Sequence, residues 1–257
     1  MITYPGPLTR GHFRRTALSR TRPRPSPDDK GHPRRGIVTS ANAGSPAPHP
    51  LLRRALAEFA GSVLLVFLGI SAMIAVNWLA GPPLTTWPGG EYLLSLLLGL
   101  AFGYTVTSVI YLPLGRISGQ YNPAFSLVPW AMGRQSARTT LLYLIAQLAG
   151  GVLGAVLLLV WGRRGAEFRY GATVPIPEAS LWAPVVAELV STMAVALAII
   201  ATIRGKATGR WAFHLVPMLY GVLAPVAAPL SGLSTNPART LGWRSSLAST
   251  PTCGSTS

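Results

Sequence analysis

Ser231-Gly232-Leu233-Ser234-Thr235-Asn236-Pro237-Ala238-Arg239 decides how this chain is read, because Ile117-Ser118-Gly119-Gln120-Tyr121-Asn122-Pro123-Ala124 repeats its plan upstream. Each stretch has a Ser-Gly pair, a short spacer and then Asn-Pro-Ala. Asn is a favoured helix N-cap and Pro a favoured first helical residue. Each stretch therefore predicts a helix that starts at its proline. One such triplet is no more than a good helix start. Two, each with a matched Ser-Gly ahead of it, predict a structural unit used twice.

Working outward, the motifs sit among apolar runs. The runs cover about Ala55–Ala80, Tyr92–Leu114, Thr139–Trp161, Leu181–Ile203 and Trp211–Leu230. Each is close to the ~20 residues that cross ~30 Å of hydrocarbon. Backbone hydrogen bonds must close internally there, so the runs predict helices. Small residues recur within them, as in Ala149-Gly150-Gly151 and Gly154-Ala155, and allow close helix approach.

Charge is scarce and clustered. Charged residues make up 11% of the chain, and beyond Leu51 the acids are Glu58, Glu91, Glu167, Glu178 and Glu188. Soluble domains carry about 25%. A net charge of +15 is compatible with nucleic-acid binding. Its distribution argues for a membrane protein instead. Nine of the 22 basic residues sit in a Pro-rich segment, 1–50, and most of the rest in short loops between apolar runs. Residues 1–50 predict a disordered basic tail with no apolar segment typical of a secretory signal. If every run crosses, Arg53, Arg54, Arg116, Arg134, Arg138, Arg204, Lys206 and Arg210 fall on one side, which is then cytoplasmic and holds the N-terminus. Arg163, Arg164 and Arg169 fall on the other, so the bias is incomplete. The single cysteine, Cys253, and four scattered histidines predict no disulfide, metal site or cofactor. No nucleophile–base pair appears, so no enzyme is expected.

The halves are related by more than the motifs. Ala57-Glu58-Phe59 opens the first run, and Ala187-Glu188-Leu189 lies near the start of the fourth. Each is followed by another span and then a motif loop. Three spans separate the equivalent starts, and an odd number inverts the second half in the membrane. The two motif loops then enter from opposite faces. A half-helix of about ten residues covers about 15 Å, so the two N-termini meet near the midplane. Each brings roughly half a positive charge. Each Asn caps its own helix through its oxygen and aims its NH2 away, into a shared lumen. A water held by both Asn donors through its oxygen donates only outward, which opposes proton hopping, while the positive field opposes cations. The expected chemistry is passive conduction.

Along most of residues 55–242 the chain resembles the aquaporin (major intrinsic protein) family. The resemblance rests on Ala57-Glu58-Phe59-Ala60-Gly61, on the loop ending Asn122-Pro123-Ala124, on Ala146-Gln147 with Gly150-Gly151, and on the loop ending Asn236-Pro237-Ala238-Arg239. It implies an all-α membrane fold: an inverted-repeat helix bundle with two re-entrant half-helices, usually a homotetramer with one pore per subunit. It also implies a selectivity filter. Counted gap-free from the motifs, its positions fall on Phe102, Ala224, Leu233 and Arg239, with Arg239 hydrogen-bonding the permeant and repelling cations. Glu58 and Glu188 match structural glutamates that hold the pore-loop backbones. A proton-coupling role for them is the sharper alternative.

The chain also departs from the pattern. Family water channels commonly carry His where Ala224 stands. Family glycerol channels commonly carry Trp where Phe102 stands and Asp after the Arg, where this chain has Thr240. The short loops match the water-channel branch, so the expectation is a filter wider and less polar than a water channel's. It should pass water and some small uncharged solutes across the plasma membrane. After Leu241-Gly242 no sixth apolar run follows. The expected organisation is therefore tail 1–50, channel region 51–242 with five full spans and the sixth missing, and polar tail 243–257. A non-conducting truncated remnant or assembly partner is the alternative function, and a glycerol-type facilitator is a further one.

Overall fold

The structure is a computed structural model that describes residues 49–173, 182–204 and 211–242. Nearly all of the expected tail 1–50, all of 243–257, and Glu178, Lys206, Arg210 and Cys253 lie outside them. The described elements are α1 (Leu51–Leu84), α2 (Gly90–Tyr111), α3 (Pro113–Ile117), α4 (Pro123–Ala131), α5 (Ala137–Leu157), α6 (Gly162–Glu167), α7 (Trp182–Arg204) and α8 (Ala212–Ser231). A helical stretch at 237–242 follows the second motif loop. A 3-10 turn, Leu158–Trp161, joins α5 to α6. Five of the helices are long and apolar enough to cross a membrane, and they coincide with the five sequence runs.

The differences lie at the ends. The second run divides at Pro113: α2 stops at Tyr111, and the proline starts the short α3. Proline lacks the N–H that would continue the ladder and suits a first helical position. α1 continues past Ala80 through Pro82 and Pro83, where Thr85 ties its last turn to the Gly81 carbonyl by both N–H and hydroxyl. α8 stays helical through Pro217, Pro225 and Pro229.

These helices bury only part of their apolar surface. Leu189, Met193 and Leu197 of α7 and Val222 and Val226 of α8 are exposed. In a soluble protein that would be a liability; in a bilayer, lipid covers it. Exposed aromatics mark the expected interfaces. Trp78, Trp87, Tyr92 and Trp182 lie toward one end, and Tyr111, Trp130 and Trp211 toward the other.

Without a hydrophobic drive between helices, small residues decide where they meet. A Cβ on Gly150 would lie 2.4 Å from the Phe59 carbonyl oxygen, and one on Gly154 would lie 2.7 Å from that of Val63, so α5 seats directly on the α1 backbone. α2 and α8 meet in the same way through Gly99 and Gly103. The α1–α2 pair of the first half thus faces the α7–α8 pair of the second, with α2 against α8 at the centre.

Candidate functional site

Both motif loops are held by glutamates, Glu58 fully buried and Glu188 half-buried. The Glu58 carboxylate accepts from the Ser118 hydroxyl, from Gln120 N–H (2.9 Å) and Tyr121 N–H (2.6 Å), and from Gln147 Nε2 (2.8 Å). Glu188 accepts from the Ser231 hydroxyl (2.8 Å) and from the N–H groups of Ser234 and Thr235 (both 2.7 Å). The Ser of each Ser-Gly pair and the residue before each Asn therefore play matching parts. Those preceding residues, Tyr121 (φ 48°) and Thr235 (φ 52°), are left-handed. This conformation costs a non-glycine residue about 1–3 kcal/mol and persists only where the surroundings impose it. Here a carboxylate captures each strained N–H. The second loop is one residue longer and adds a further left-handed residue, Leu233 (φ 46°).

The two Asn side chains cap as the sequence requires. Asn122 Oδ1 accepts from Ala124 N–H (3.0 Å), and Asn236 Oδ1 from Ala238 N–H (2.9 Å). Their NH2 groups are not wholly free, however. Asn122 Nδ2 donates to the Thr235 carbonyl (2.8 Å) and Asn236 Nδ2 to the Tyr121 carbonyl (2.9 Å). The two loops clasp each other reciprocally through the Asn side chains. An amide nitrogen carries two hydrogens, so each Asn keeps one donor beyond this clasp, where the sequence reading aimed both whole NH2 groups into a shared lumen. Pro123 and Pro237 open the helical stretches, and Ala124 and Ala238 supply the capped N–H groups.

Phe102, Ala224, Leu233 and Arg239 line one cavity of about 60 Å³. The guanidinium is almost fully buried. Its Nη1 donates to the Leu233 carbonyl (2.8 Å) and Nη2 to the Gly171 carbonyl (3.5 Å). Its Cζ lies 4.8 Å from the Phe102 ring centroid, a cation–π distance. Its buried Nε has no partner among the described residues. A second cavity of about 10 Å³ is lined by Asn122, Asn236, Gln120, Leu65 and Val106. Phe102 and Tyr220 line both cavities.

Sequence reasoning missed Tyr220 as a lining residue. Its signal was present: it precedes Ala224 by one helical turn and so shares its face. It also gave Gln147 no role, although that amide reaches both Glu58 and the Ser126 hydroxyl (2.8 Å). Beside the second loop a larger cavity, about 720 Å³, opens between Leu148, Leu189, Thr192, Pro237 and Leu241. Among the described residues, no amide side chain closes on Glu188 as Gln147 closes on Glu58.

A family model described as Major intrinsic protein matches residues 47–248. Aquaporin AqpM of Methanothermobacter marburgensis is 32% identical over 206 residues, covering 75% of this chain and 82% of that protein. The glycerol uptake facilitator protein of Pseudomonas aeruginosa is 29% identical over 218 residues, covering 76% and 75%. Among solved structures, the aquaglyceroporin from Plasmodium falciparum is similar in fold. Its TM-score is 0.56 at 23% identity, and the match covers 78% of this chain and 83% of that one.

Proposed function

Since the chain belongs to the major intrinsic protein family, whose members are membrane channels and not enzymes, we propose that it conducts water and some small uncharged solutes while excluding ions and protons. The observation that carries this reading is a pair of cavities that share Phe102 and Tyr220, the outer one lined by Arg239 and the inner one by both Asn. From Arg239 and Leu233 the path runs past Phe102 and Tyr220 to Asn122 and Asn236. Arg239, Phe102, Ala224 and Leu233 act as the outer filter. Arg239 supplies the buried charge that repels cations. The half-helix N-termini add positive potential at the Asn pair. One remaining N–H on each Asn still orients a water with its oxygen inward.

Ala224 adds no donor and little bulk, which favours a filter that also admits small neutral solutes. The relatives named as a glycerol uptake facilitator and as propanediol uptake facilitators fit that breadth. The unit of function is a homotetramer in the plasma membrane, with the N-terminus cytoplasmic, residues 51–242 forming the channel and 1–50 and 243–257 the tails. Glu58 and Glu188 hold the loops and carry no protons across. A non-conducting assembly partner is the second reading, favoured by the inner lumen of about 10 Å³. Reconstitution decides between the two. In stopped-flow light scattering, proteoliposomes should shrink faster than empty vesicles after an osmotic step. Equal rates would refute conduction.

A further inference from the structure

We propose that Tyr220, facing Phe102, forms a second constriction inside the filter, and that this pair of rings sets the size limit of the lumen. The proposal rests on the reading of this chain as a channel. Tyr220 and Phe102 are the only described residues common to the outer cavity of about 60 Å³ and the inner one of about 10 Å³. The lumen is therefore divided where the two rings stand. A water requires about 10–15 Å³. The outer cavity holds several waters or one small solute; the inner one holds a single water at most.

The rings are fixed. Their centroids lie 5.3 Å apart at 78°, an edge-to-face pair. Tyr220 cannot retreat toward α2, because a Cβ on Gly99 would lie 2.3 Å from the Tyr220 carbonyl oxygen and one on Gly103 would lie 3.1 Å from its Cβ. At the other end its hydroxyl bonds Thr235 Oγ1. The single Thr235 hydroxyl proton goes to the Ser234 carbonyl (2.7 Å), so Tyr220 is the donor in that bond. Tied back in this way, the phenol offers no proton to a passing solute. The two rings touch edge to face, so together they present one continuous aromatic wall without a free donor. A wide polyol would lose hydrogen bonds there without replacement, whereas one water passes in file. Size selection is thus separated from charge selection, which stays with Arg239 and the Asn pair. Tyr220 also links the constriction to the second motif loop, since the Thr235 carbonyl receives the Asn122 amide.

The test compares wild type with Tyr220→Val, Tyr220→Phe and Phe102→Leu in proteoliposomes, measuring osmotic water flow and glycerol entry per reconstituted protein. Tyr220→Val and Phe102→Leu should each raise glycerol entry several-fold over wild type. Tyr220→Phe keeps the ring and should admit less glycerol than Tyr220→Val. If wild type conducts water and neither widening variant admits more glycerol, the constriction proposal is overturned while the channel reading stands. Glycerol entry through Tyr220→Phe equal to that through Tyr220→Val would also overturn it, because bulk would then not set the limit. If no variant conducts above empty vesicles, the channel reading fails and the proposal fails with it.

Discussion

Replacing Glu58 by Gln tests the support of the first loop at one atom. The carboxylate has about four acceptor sites, and four donors converge on it. Ser118 Oγ and Gln120 N–H reach Oε1, and Tyr121 N–H and Gln147 Nε2 reach Oε2. A glutamine keeps an acceptor on one side only. Its NH2 then faces two groups that donated to the carboxylate, Ser118 and Gln120 in one orientation or Tyr121 and Gln147 in the other. Hydrogen bonds to charged groups contribute about 1.5–3 kcal/mol each, so losing two costs roughly 3–6 kcal/mol. That is a large part of a typical 5–15 kcal/mol stability. At roughly 2–4 °C per kcal/mol for 150–250 residues, the thermal midpoint should fall by roughly 6–24 °C. Glu188→Gln is the internal control. It can keep both bonds to Oε1 and loses only Thr235 N–H at Oε2, so its cost is about half, ~1.5–3 kcal/mol. The assay is thermal unfolding of purified protein in one detergent, followed by tryptophan fluorescence. A Glu58→Gln midpoint within a degree or two of wild type, or a smaller loss than for Glu188→Gln, would refute this account of how the loops are held.

Three further outcomes follow from the same geometry. Ala224→His adds bulk and a donor to the outer cavity, so any glycerol or urea flux of the wild type should drop below its water flux; an unchanged solute profile would remove Ala224 from the filter. Arg239→Val removes the buried charge and its bond to the Leu233 carbonyl, and should raise cation or proton leak in planar-bilayer or pH-dye recordings; unchanged leak would assign ion exclusion to the Asn pair alone. At Gly61→Ala, the new Cβ would lie 2.0 Å from the Tyr121 ring. Overpacking of this kind costs about 1–3 kcal/mol, seen as a lower unfolding midpoint, and a midpoint equal to wild type would show that the ring has room to move.

Much was legible because a membrane simplifies the grammar of a sequence. Scarce charge and runs of about twenty apolar residues located the five long helices among the described residues, since only closed hydrogen-bond ladders survive in lipid. The helix starts at Pro123 and Pro237 followed from local capping chemistry, which acts over two or three residues. The division of the second run at Pro113 was equally local and could have been read from the proline. Phe102, Ala224, Leu233 and Arg239, the positions implied by the family resemblance when counted gap-free from the two motifs, line one cavity.

The remainder depends on which atoms of distant segments meet. The reciprocal clasp joins Asn122 to Thr235 and Asn236 to Tyr121, pairs that no local periodicity relates. The left-handed turns at Tyr121 and Thr235 go against residue preference and exist because Glu58 and Glu188 impose them from other helices. Tyr220 reads in sequence as one more apolar residue of α8. Its place beside both cavities follows from the close seating of α2 and α8 at Gly99 and Gly103, which packs its ring against Phe102. The sequence by itself determined the spans, the inverted repeat and the Asn caps, because each is set by composition or by neighbours along the chain. Only the tertiary structure decided how many amide hydrogens remain beyond the clasp and which residues the two cavities share, because both depend on contacts made between the two halves.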